Sequence, residues 1–214
     1  AFLLFDSSWH ISDFNKPCVR LNEYPVLAFT NPPAVPILPM MAKTTSLAEQ
    51  PKGNAIDTNQ HVFAFFLGKH DEKATLNISQ KHLARETTSR VLVKSVLFDQ
   101  SQFSYRGTLH IAQNASLADA SQENRNLLLS SEAKAISEPI LEILNNDVRC
   151  HHAVTTSPLN AEQLFFAQTR GLSAKQAEIL LIRGFLHSSL TAMGTLISSQ
   201  DQEKVLALMK AETE

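Results

Sequence analysis

The chain has 214 residues, a formal net charge of -2 and an apolar fraction of 43%, with 8 histidines and only 2 cysteines. These values predict a folded protein with one sizeable core and a smaller appended part, and they exclude a disordered chain, a basic nucleic-acid-binding surface and a disulfide framework. The apolar segments are too short to span a membrane, and the scarcity of cysteine indicates the reducing cytoplasm as the setting.

Residues 1–60 are predicted to form an N-terminal strand followed by a proline-rich arm. Within this part, the segment 31–53 has few periodic apolar positions and contains Pro32, Pro33, Pro36, Pro39, Pro51 and Gly53. Proline fixes φ and has no backbone N–H to donate, so this composition predicts an irregular connection after the strand.

Short strands are predicted from about residue 61 to residue 157. Apolar and polar residues alternate in the segments 74–78 and 108–111, as expected for strands with one buried face. Pairs of apolar residues two positions apart recur every 18 residues: Val91 and Val93, Leu109 and Ile111, Leu127 and Leu129. Such a repeat is typical of a β-solenoid whose coils stack the same two inward positions. Evenly spaced strands of an antiparallel sandwich remain an equal alternative on periodicity alone.

Helices are predicted in the C-terminal part, residues 158–214. Asn160 is suited to cap a first helix that runs to Arg170, and Gly171 is suited to end it in a left-handed conformation. Ser173 and Gln176 have the spacing of a capping box, which places the start of a second helix there.

The second helix is predicted to run to about Met193 and to carry two apolar stripes. One stripe contains Leu180 and Phe185, and the other contains Ile182 and Leu186. One stripe is enough to dock the helix on the protein's own core. The other is expected to contact either a third helix around residues 205–209 or a partner protein.

Two residues with metal-binding side chains lie close together near residue 150. In an extended segment Cys150 and His152 point to one face and His151 to the other. A thiolate and an imidazole two residues apart can both reach one soft or borderline metal ion, but two ligands do not make a stable site. From the residues alone, a small buried thiol and a hydrogen-bonded surface imidazole is the favoured interpretation.

The remaining polar residues lack the patterns of known catalytic sites. The other histidines have no metal-ligand spacing, and most are expected to face solvent: His61, His70, His82, His110 and His187. The sequence has neither a glycine-rich phosphate loop nor a nucleophile elbow. Glu138 and Glu142 share a strand face and leave a polysaccharide-cleaving β-helix open as an alternative, but the adjacent Pro139 favours turn and surface positions for both.

Several sequence blocks, taken in their order, resemble the SufB/SufD family of iron–sulfur cluster assembly proteins. The blocks are Tyr105-Arg-Gly-Thr-Leu-His-Ile-Ala-Gln-Asn-Ala, Asn126-Leu-Leu-Leu-Ser, Glu138-Pro-Ile-Leu-Glu-Ile, Asn146-Asp-Val-Arg-Cys-His-His-Ala, Glu162-Gln-Leu-Phe-Phe, Thr169-Arg-Gly-Leu and Arg183-Gly-Phe. They cover about half of the chain, from Val91 to Phe185. The resemblance implies a mainly β fold with α, in which a short right-handed parallel β-helix (residues 61–157) precedes a C-terminal helical subdomain.

The resemblance also implies a function, that of a non-catalytic scaffold subunit similar to SufD. SufD-type proteins have a Cys-Ser-His-Gly motif whose histidine falls on His152, which implies a ligand for transient iron at the interface with a partner. Cys150 matches the cysteine of that motif and is the weaker candidate. The β-helix edge from Leu141 to His152 is implied to pair with a SufB-like chain, and no stably bound cofactor is implied.

Further expectations follow from the same resemblance. A group in the helical part is implied to dock a SufC-like ABC ATPase, which would hydrolyse the ATP: Leu164, Phe165, Phe166, Arg170 and Gly171. SufB-type proteins place a cysteine where this chain has Asn124, which favours SufD, although the segments 105–107 and 155–157 resemble the SufB version. Typical members are longer, so the chain is either a shortened member or a fragment. A structural homo-oligomer without iron chemistry, forming a self-dimer, is the other alternative.

Overall fold

The computed structural model describes residues 26–29, 59–193 and 203. A short strand, β1 (Val26–Phe29), precedes the proline-rich segment and pairs in parallel with the strand that follows it. The proline-rich segment 31–53 and the third helix expected around residues 205–209 lie outside the described residues. The division predicted at residues 60 and 157 stays a prediction.

Seven strands of 10 residues each form the body of the protein. They are β2 (Asn59–Gly68), β3 (Lys73–His82), β4 (Thr88–Leu97), β5 (Gln102–Ile111), β6 (Asp119–Leu128), β7 (Lys134–Ile143) and β8 (Arg149–Pro158). Successive strands alternate between two parallel sheets, ordered β1-β2-β4-β6-β8 and β3-β5-β7. From β2 onward each strand therefore pairs with the next strand but one, and the chain winds as a β-solenoid of about three turns. The predicted β-helix is confirmed, and an antiparallel sandwich is excluded for these strands.

The 18-residue interval of the apolar pairs is not the repeat of the solenoid, so that part of the prediction is wrong. From β2 to β8, register partners on neighbouring coils are 29 to 32 residues apart, as between Asn59 and Thr88 and between Gln102 and Lys134. Val91 and Leu109 lie on different sheets, because each coil contributes one strand to each sheet. The interval reflects the step across the solenoid from one sheet to the other.

The solenoid interior is apolar along β2 and contains both apolar and buried polar residues along the later strands. In β3 and β5 almost every second residue is buried, as their sequence alternation predicts. The rings of Phe66 and Phe103 stack across the interior with centroids 5.2 Å apart. At β6 the buried inward positions instead hold Gln122, Asn124 and Asn126. Polar side chains buried at this depth need hydrogen-bond partners, and those near β8 are described below.

Two helices follow the solenoid with the boundaries and caps that the sequence predicts. Helix α1 (Ala161–Thr169) begins after Asn160, whose side chain accepts a hydrogen bond from the Gln163 backbone N–H at 3.0 Å. Gly171 ends it with φ of 92°, a left-handed conformation that glycine adopts without steric cost. Helix α2 (Ala174–Met193) begins after Ser173, which exchanges capping-box bonds with Gln176.

Helix α2 docks on the outer face of the sheet that contains β2, β4 and β6. Its buried Ile182 and Leu186 pack in one cluster with Phe65, Val96 and Leu127 of the sheet. The stripe that contains Ile182 and Leu186 therefore docks on the sheet, and Phe185 of the other stripe packs against the same cluster. In the part of the chain that the structure describes, no helix has both the length and the apolar character needed to cross a membrane.

Candidate functional site

Strands β7 and β8 lie at one end of the solenoid, which we call the open end. Among the described strands, β7 pairs only with β5 and β8 pairs only with β6, so each has one unpaired edge. Leu141 and Ile143 of β7 are 46% and 41% exposed. Their register partners one coil below, Leu109 and Ile111, are both fully buried. The open end thus presents core-type side chains and unpaired backbone groups together.

Cys150 and His152 lie on the inward side of β8 at this open end. The register with β6 places Cys150 beside Ala120 and His152 beside Gln122, both of which are fully buried inside the solenoid. His151 falls on the opposite face, so the predicted arrangement of the three side chains is confirmed. Cys150 is a free, exposed cysteine, and His152 is half-buried with its Nε2 atom buried.

The electrostatic setting keeps both of these groups uncharged near neutral pH. Partial burial raises the pKa of the Cys150 thiol, and the nearby carboxylate of Asp119 raises it further. Partial burial lowers the pKa of His152, and the adjacent His151 lowers it further. The result is a neutral imidazole on the same strand face as a thiol, and a neutral imidazole is the form that binds metal ions.

These two residues alone are an incomplete ligand set. Among residues 59–193, no group of three or more His, Cys, Asp or Glu side chains is placed to hold a metal ion. Cys150 and His152 supply one sulfur and one nitrogen donor, so any metal ion bound there takes its other ligands from elsewhere.

Asn124, on which the expectation of a SufD-like chain depends, is fully buried. Its Oδ1 accepts hydrogen bonds from Ser137 Oγ at 2.6 Å and from Asn126 Nδ2 at 2.9 Å. Asn126 also donates to Thr156 Oγ1 of β8 at 3.0 Å and accepts from Ser95 Oγ of β4 at 2.8 Å. These bonds join three successive strands of one sheet to the opposite sheet and replace apolar packing near the open end.

A second buried network crosses the solenoid interior and corrects one expectation. His82, expected among the solvent-facing histidines, is fully buried. Its Nδ1 and Nε2 lie 2.7 Å from Thr87 Oγ1 and Ser89 Oγ respectively. Burial lowers the pKa of His82 to about 4. Gln80 bonds to the same Ser89 hydroxyl and to Gln122, so the network extends to the residue beside His152 in the register.

Sequence reasoning missed both networks, although one signal was present. Gln122, Asn124 and Asn126 occupy alternate positions of β6, as inward residues must. A search for alternating apolar residues passes over such a row, because it treats amide side chains as exposed.

The two glutamates of β7 do not form a hydrolytic pair. Glu138 lies on the strand and not in a turn, and its carboxylate is 2.6 Å from Arg106 Nη2. Glu142, also on the strand, is 2.9 Å from His110 Nδ1. Both carboxylates are exposed on the outer face and each is paired with a basic side chain of β5. Neither fits the acid and base roles of a glycoside hydrolase.

The residues predicted to bind a partner in the helical part come together around α1. Phe165 and Phe166 are 67% and 61% exposed, whereas Leu164 is half-buried. The Arg170 guanidinium lies over the Phe166 ring, with Cζ 4.9 Å from the centroid. Gly171 follows directly. Two neighbouring exposed phenylalanines with a stacked arginine are typical of protein–protein contacts.

Comparison with known proteins identifies relatives for most of the described chain. The family model described as SUF system FeS cluster assembly, SufBD core domain, matches residues 43–185. An iron–sulfur cluster assembly SufBD family protein of Synechocystis is 35% identical over 115 residues, which is 54% of this chain and 24% of that protein. The SufD protein of Escherichia coli is 33% identical over 97 residues, 45% of this chain and 23% of its own length.

Proteins with the SufB name match as well. The SufB protein of Bacillus subtilis is 29% identical over 119 residues, which is 56% of this chain and 25% of that protein. The aligned part thus spans about a quarter of the length of these three relatives. Because the family model covers more than half of the sequence and the solenoid fold agrees with the expectation, the chain belongs to the SufBD core domain family of the SUF iron–sulfur cluster assembly system.

Proposed function

We propose that this chain is a SufD-like, non-catalytic scaffold subunit that works in the cytoplasm with a SufB-like chain and a SufC-like ABC ATPase. Its cargo is iron or an iron–sulfur cluster held transiently together with a partner. The observation that carries the proposal is the open end, where an unpaired strand edge, exposed core-type side chains and the Cys150–His152 pair occur together.

Strand β8 is the better of the two edges for pairing with another chain. It has 10 residues and contains no glycine and no proline before its last residue, Pro158. Strand β7 carries Pro139 at its centre, which removes one backbone donor from that edge. A strand of the SufB-like partner added to β8 would satisfy its backbone groups and cover Val154, which is 37% exposed.

Partner pairing at β8 would also complete the ligand set around His152. The imidazole is neutral and lies on the inward side of the strand that would become the interface. A partner strand beside β8 brings its own side chains to the same opening, and these would supply the ligands that this chain lacks. The SufD assignment rests on Asn124, because a buried amide is not a sulfur acceptor.

The helical part is the proposed dock for the ATPase. Phe165, Phe166 and the stacked Arg170 form an exposed aromatic surface on α1, away from the α2 face that covers the solenoid. Burying two such phenylalanines contributes about 3 to 6 kcal/mol before the costs of association. ATP hydrolysis by the ATPase bound to this surface would move the helices against the sheet that ends in β8.

Co-purification of the full chain with the SufC-like ATPase of its own genome tests the scaffold role. We expect a stable complex and faster ATP turnover when the chain is present. The double variant Phe165→Ser/Phe166→Ser should lose the complex while its circular dichroism stays unchanged, because both side chains are exposed. A folded chain that neither binds the ATPase nor alters its turnover would contradict the proposal.

Substitution of His152 tests the iron role separately. We expect His152→Ala to lower cluster formation by the reconstituted complex at least tenfold. His151→Ala is the matched control, because His151 lies next to it on the outer face and its Nε2 is 3.8 Å from Glu123. Equal activity of the two variants would contradict a ligand role for His152.

A homo-oligomer is the second candidate, and the same open end favours it. The exposed Leu141, Ile143 and Val154 are suited to cover their counterparts in a second copy. This reading predicts a stable self-dimer that does not dissociate when the SufB-like chain is added. Sedimentation of this chain and of the SufB-like chain, each alone and then mixed, distinguishes the candidates. A scaffold subunit gives up any contact with its own copy and forms a complex with the SufB-like chain.

A further inference from the structure

Three buried polar atoms near the open end have no hydrogen-bond partner among the described residues: Tyr105 Oη, Gln122 Oε1 and His152 Nε2. Unpaired polar atoms are rare inside proteins, and each costs about 1 to 3 kcal/mol. Here three of them belong to side chains that face the same interior. Tyr105 and Gln122 are 1% and 0% exposed, so neither can turn to bulk solvent.

Tyr105 and Gln122 approach each other inside the solenoid, and His152 lies beside Gln122 on the next strand. A Cβ atom placed at Gly107 would lie in contact with Tyr105 Oη and 2.6 Å from both Cδ and Nε2 of Gln122, so the hydroxyl and the amide flank the same point. His152 is the register neighbour of Gln122 on the next strand of the same sheet. Neighbouring strands are about 4.8 Å apart, so inward side chains at one register position lie side by side.

The orientation of the Gln122 amide is fixed by its neighbours. The backbone oxygen of Ser121 can only accept, so the Gln80 atom beside it at 3.4 Å must be the nitrogen. Gln80 therefore presents Oε1 to Gln122, and Gln122 must donate its Nε2 across 3.0 Å. Gln122 Oε1 is then an unpaired acceptor, whereas the Tyr105 hydroxyl is an unpaired donor.

We propose that Tyr105 Oη, Gln122 Oε1 and His152 Nε2 form a binding site for one buried water molecule, which holds the His152 ring with Nδ1 toward the open end. A water molecule is the guest that fits, because the site offers a donor, an acceptor and an imidazole nitrogen that can serve as either. The water accepts from Tyr105 and from the Nε2–H of His152, and it donates to Gln122.

One consequence concerns iron and rests on the proposed function. Metal-bound histidines usually donate their second ring N–H to an inner partner, which fixes the ring and the tautomer. With Nε2–H engaged inside, Nδ1 is the nitrogen free to bind iron. Gln122 and Tyr105 are then positioning residues for His152, and they do not touch the metal.

Substitution of the tyrosine gives opposite results for a paired and an unpaired hydroxyl. If the water is bound, Tyr105→Phe in the full chain should raise the unfolding equilibrium constant about fivefold, the loss of one hydrogen bond. If Oη is unpaired, removing it leaves stability equal or higher, which would overturn the proposal. Urea unfolding at pH 7 measures this difference, and phenylalanine keeps every ring atom of the tyrosine.

The tautomer of His152 provides a test that needs no variant. In the full chain labelled with ¹⁵N-histidine, long-range proton–nitrogen spectra should show the Nε2–H form, with its proton protected from exchange. Gln122→Leu should remove that protection, and the Nδ1–H form in the wild type would overturn the proposal. Both measurements use the isolated chain, so the water site can be refuted while the ATPase complex and the His152→Ala effect are still observed. Equally, the water site can be supported when those two tests of the proposed function fail.

Discussion

Replacing Lys94 by methionine tests whether α2 covers a charged group on the solenoid. Lys94 lies on the outer face of β4 and is only 3% exposed. Its Nζ donates hydrogen bonds to the backbone oxygen of Phe185 and, at 2.6 Å, to Ser188 Oγ, and it lies 4.5 Å from the Phe185 ring centroid. Burial lowers the pKa of Lys94 from 10.5 to about 8, Arg125 adds to the decrease and Glu123 opposes it.

The sign of the pH dependence follows from this direction. Between pH 8 and 10.5 the unfolded chain holds the Lys94 proton and the folded chain does not, so the free energy of unfolding rises with pH in this window. The difference between the two pKa values corresponds to about 3 kcal/mol. Methionine has a similar length and does not titrate. The stability of Lys94→Met relative to wild type should therefore fall by about 3 kcal/mol from pH 7 to above 10.5.

Urea unfolding of wild type and variant at pH 7, 8, 9, 10 and 11 measures the difference directly. Taking the difference removes the titration of all other groups, which both proteins share. Lys73→Met is the matched control for the loss of a lysine, because the Lys73 side chain is exposed on β3 and is not covered by α2. Parallel pH curves for Lys94→Met and wild type would refute the idea that α2 buries this ammonium group.

Three further changes test the interior and the turns of the solenoid. Gly107→Ala should lower the free energy of unfolding by about 2 kcal/mol, because the added Cβ meets Tyr105 Oη and the Gln122 amide; unchanged urea unfolding would contradict the packing. Leu117→Asn should raise the free energy of unfolding by about 0.5 to 1 kcal/mol, because Leu117 has φ of 62° and is 49% exposed. Thermal unfolding measures this change, and a lower midpoint for the variant would contradict the prediction. Burial lowers the pKa of His82 from 6.5 to about 4, so the free energy of unfolding should decline as pH falls through this range. His82→Gln should lessen this decline in urea unfolding. An equal decline in variant and wild type would contradict the burial of His82.

Local chemistry explains the parts of the fold that the sequence predicted well. The caps at Asn160 and Ser173 and the left-handed Gly171 depend on neighbours within four residues, so their roles were visible before the structure. The shared face of Cys150 and His152 follows from strand alternation in the same way. For the solenoid itself, the strands were predicted, and the family resemblance was needed to choose their architecture.

The coil repeat was mispredicted because apolar residues face two different environments in one sheet. Val91 points into the solenoid, whereas Leu127 points outward and is buried under α2. All residues from Val62 to Leu67 are buried for the same reason, since both faces of β2 are covered. Alternation cannot assign the sheet when neither face is exposed.

The sequence by itself determined that the central part is built of strands, where the two helices begin, the family and the two side chains that share a face at the open end. Only the tertiary structure decided which polar residues are buried, because burial depends on strands about 30 residues apart in the chain. It placed Gln122 between Gln80 and His152 and paired Glu138 with Arg106. Such partners are set by the register of the coils, and no local pattern within one strand specifies that register.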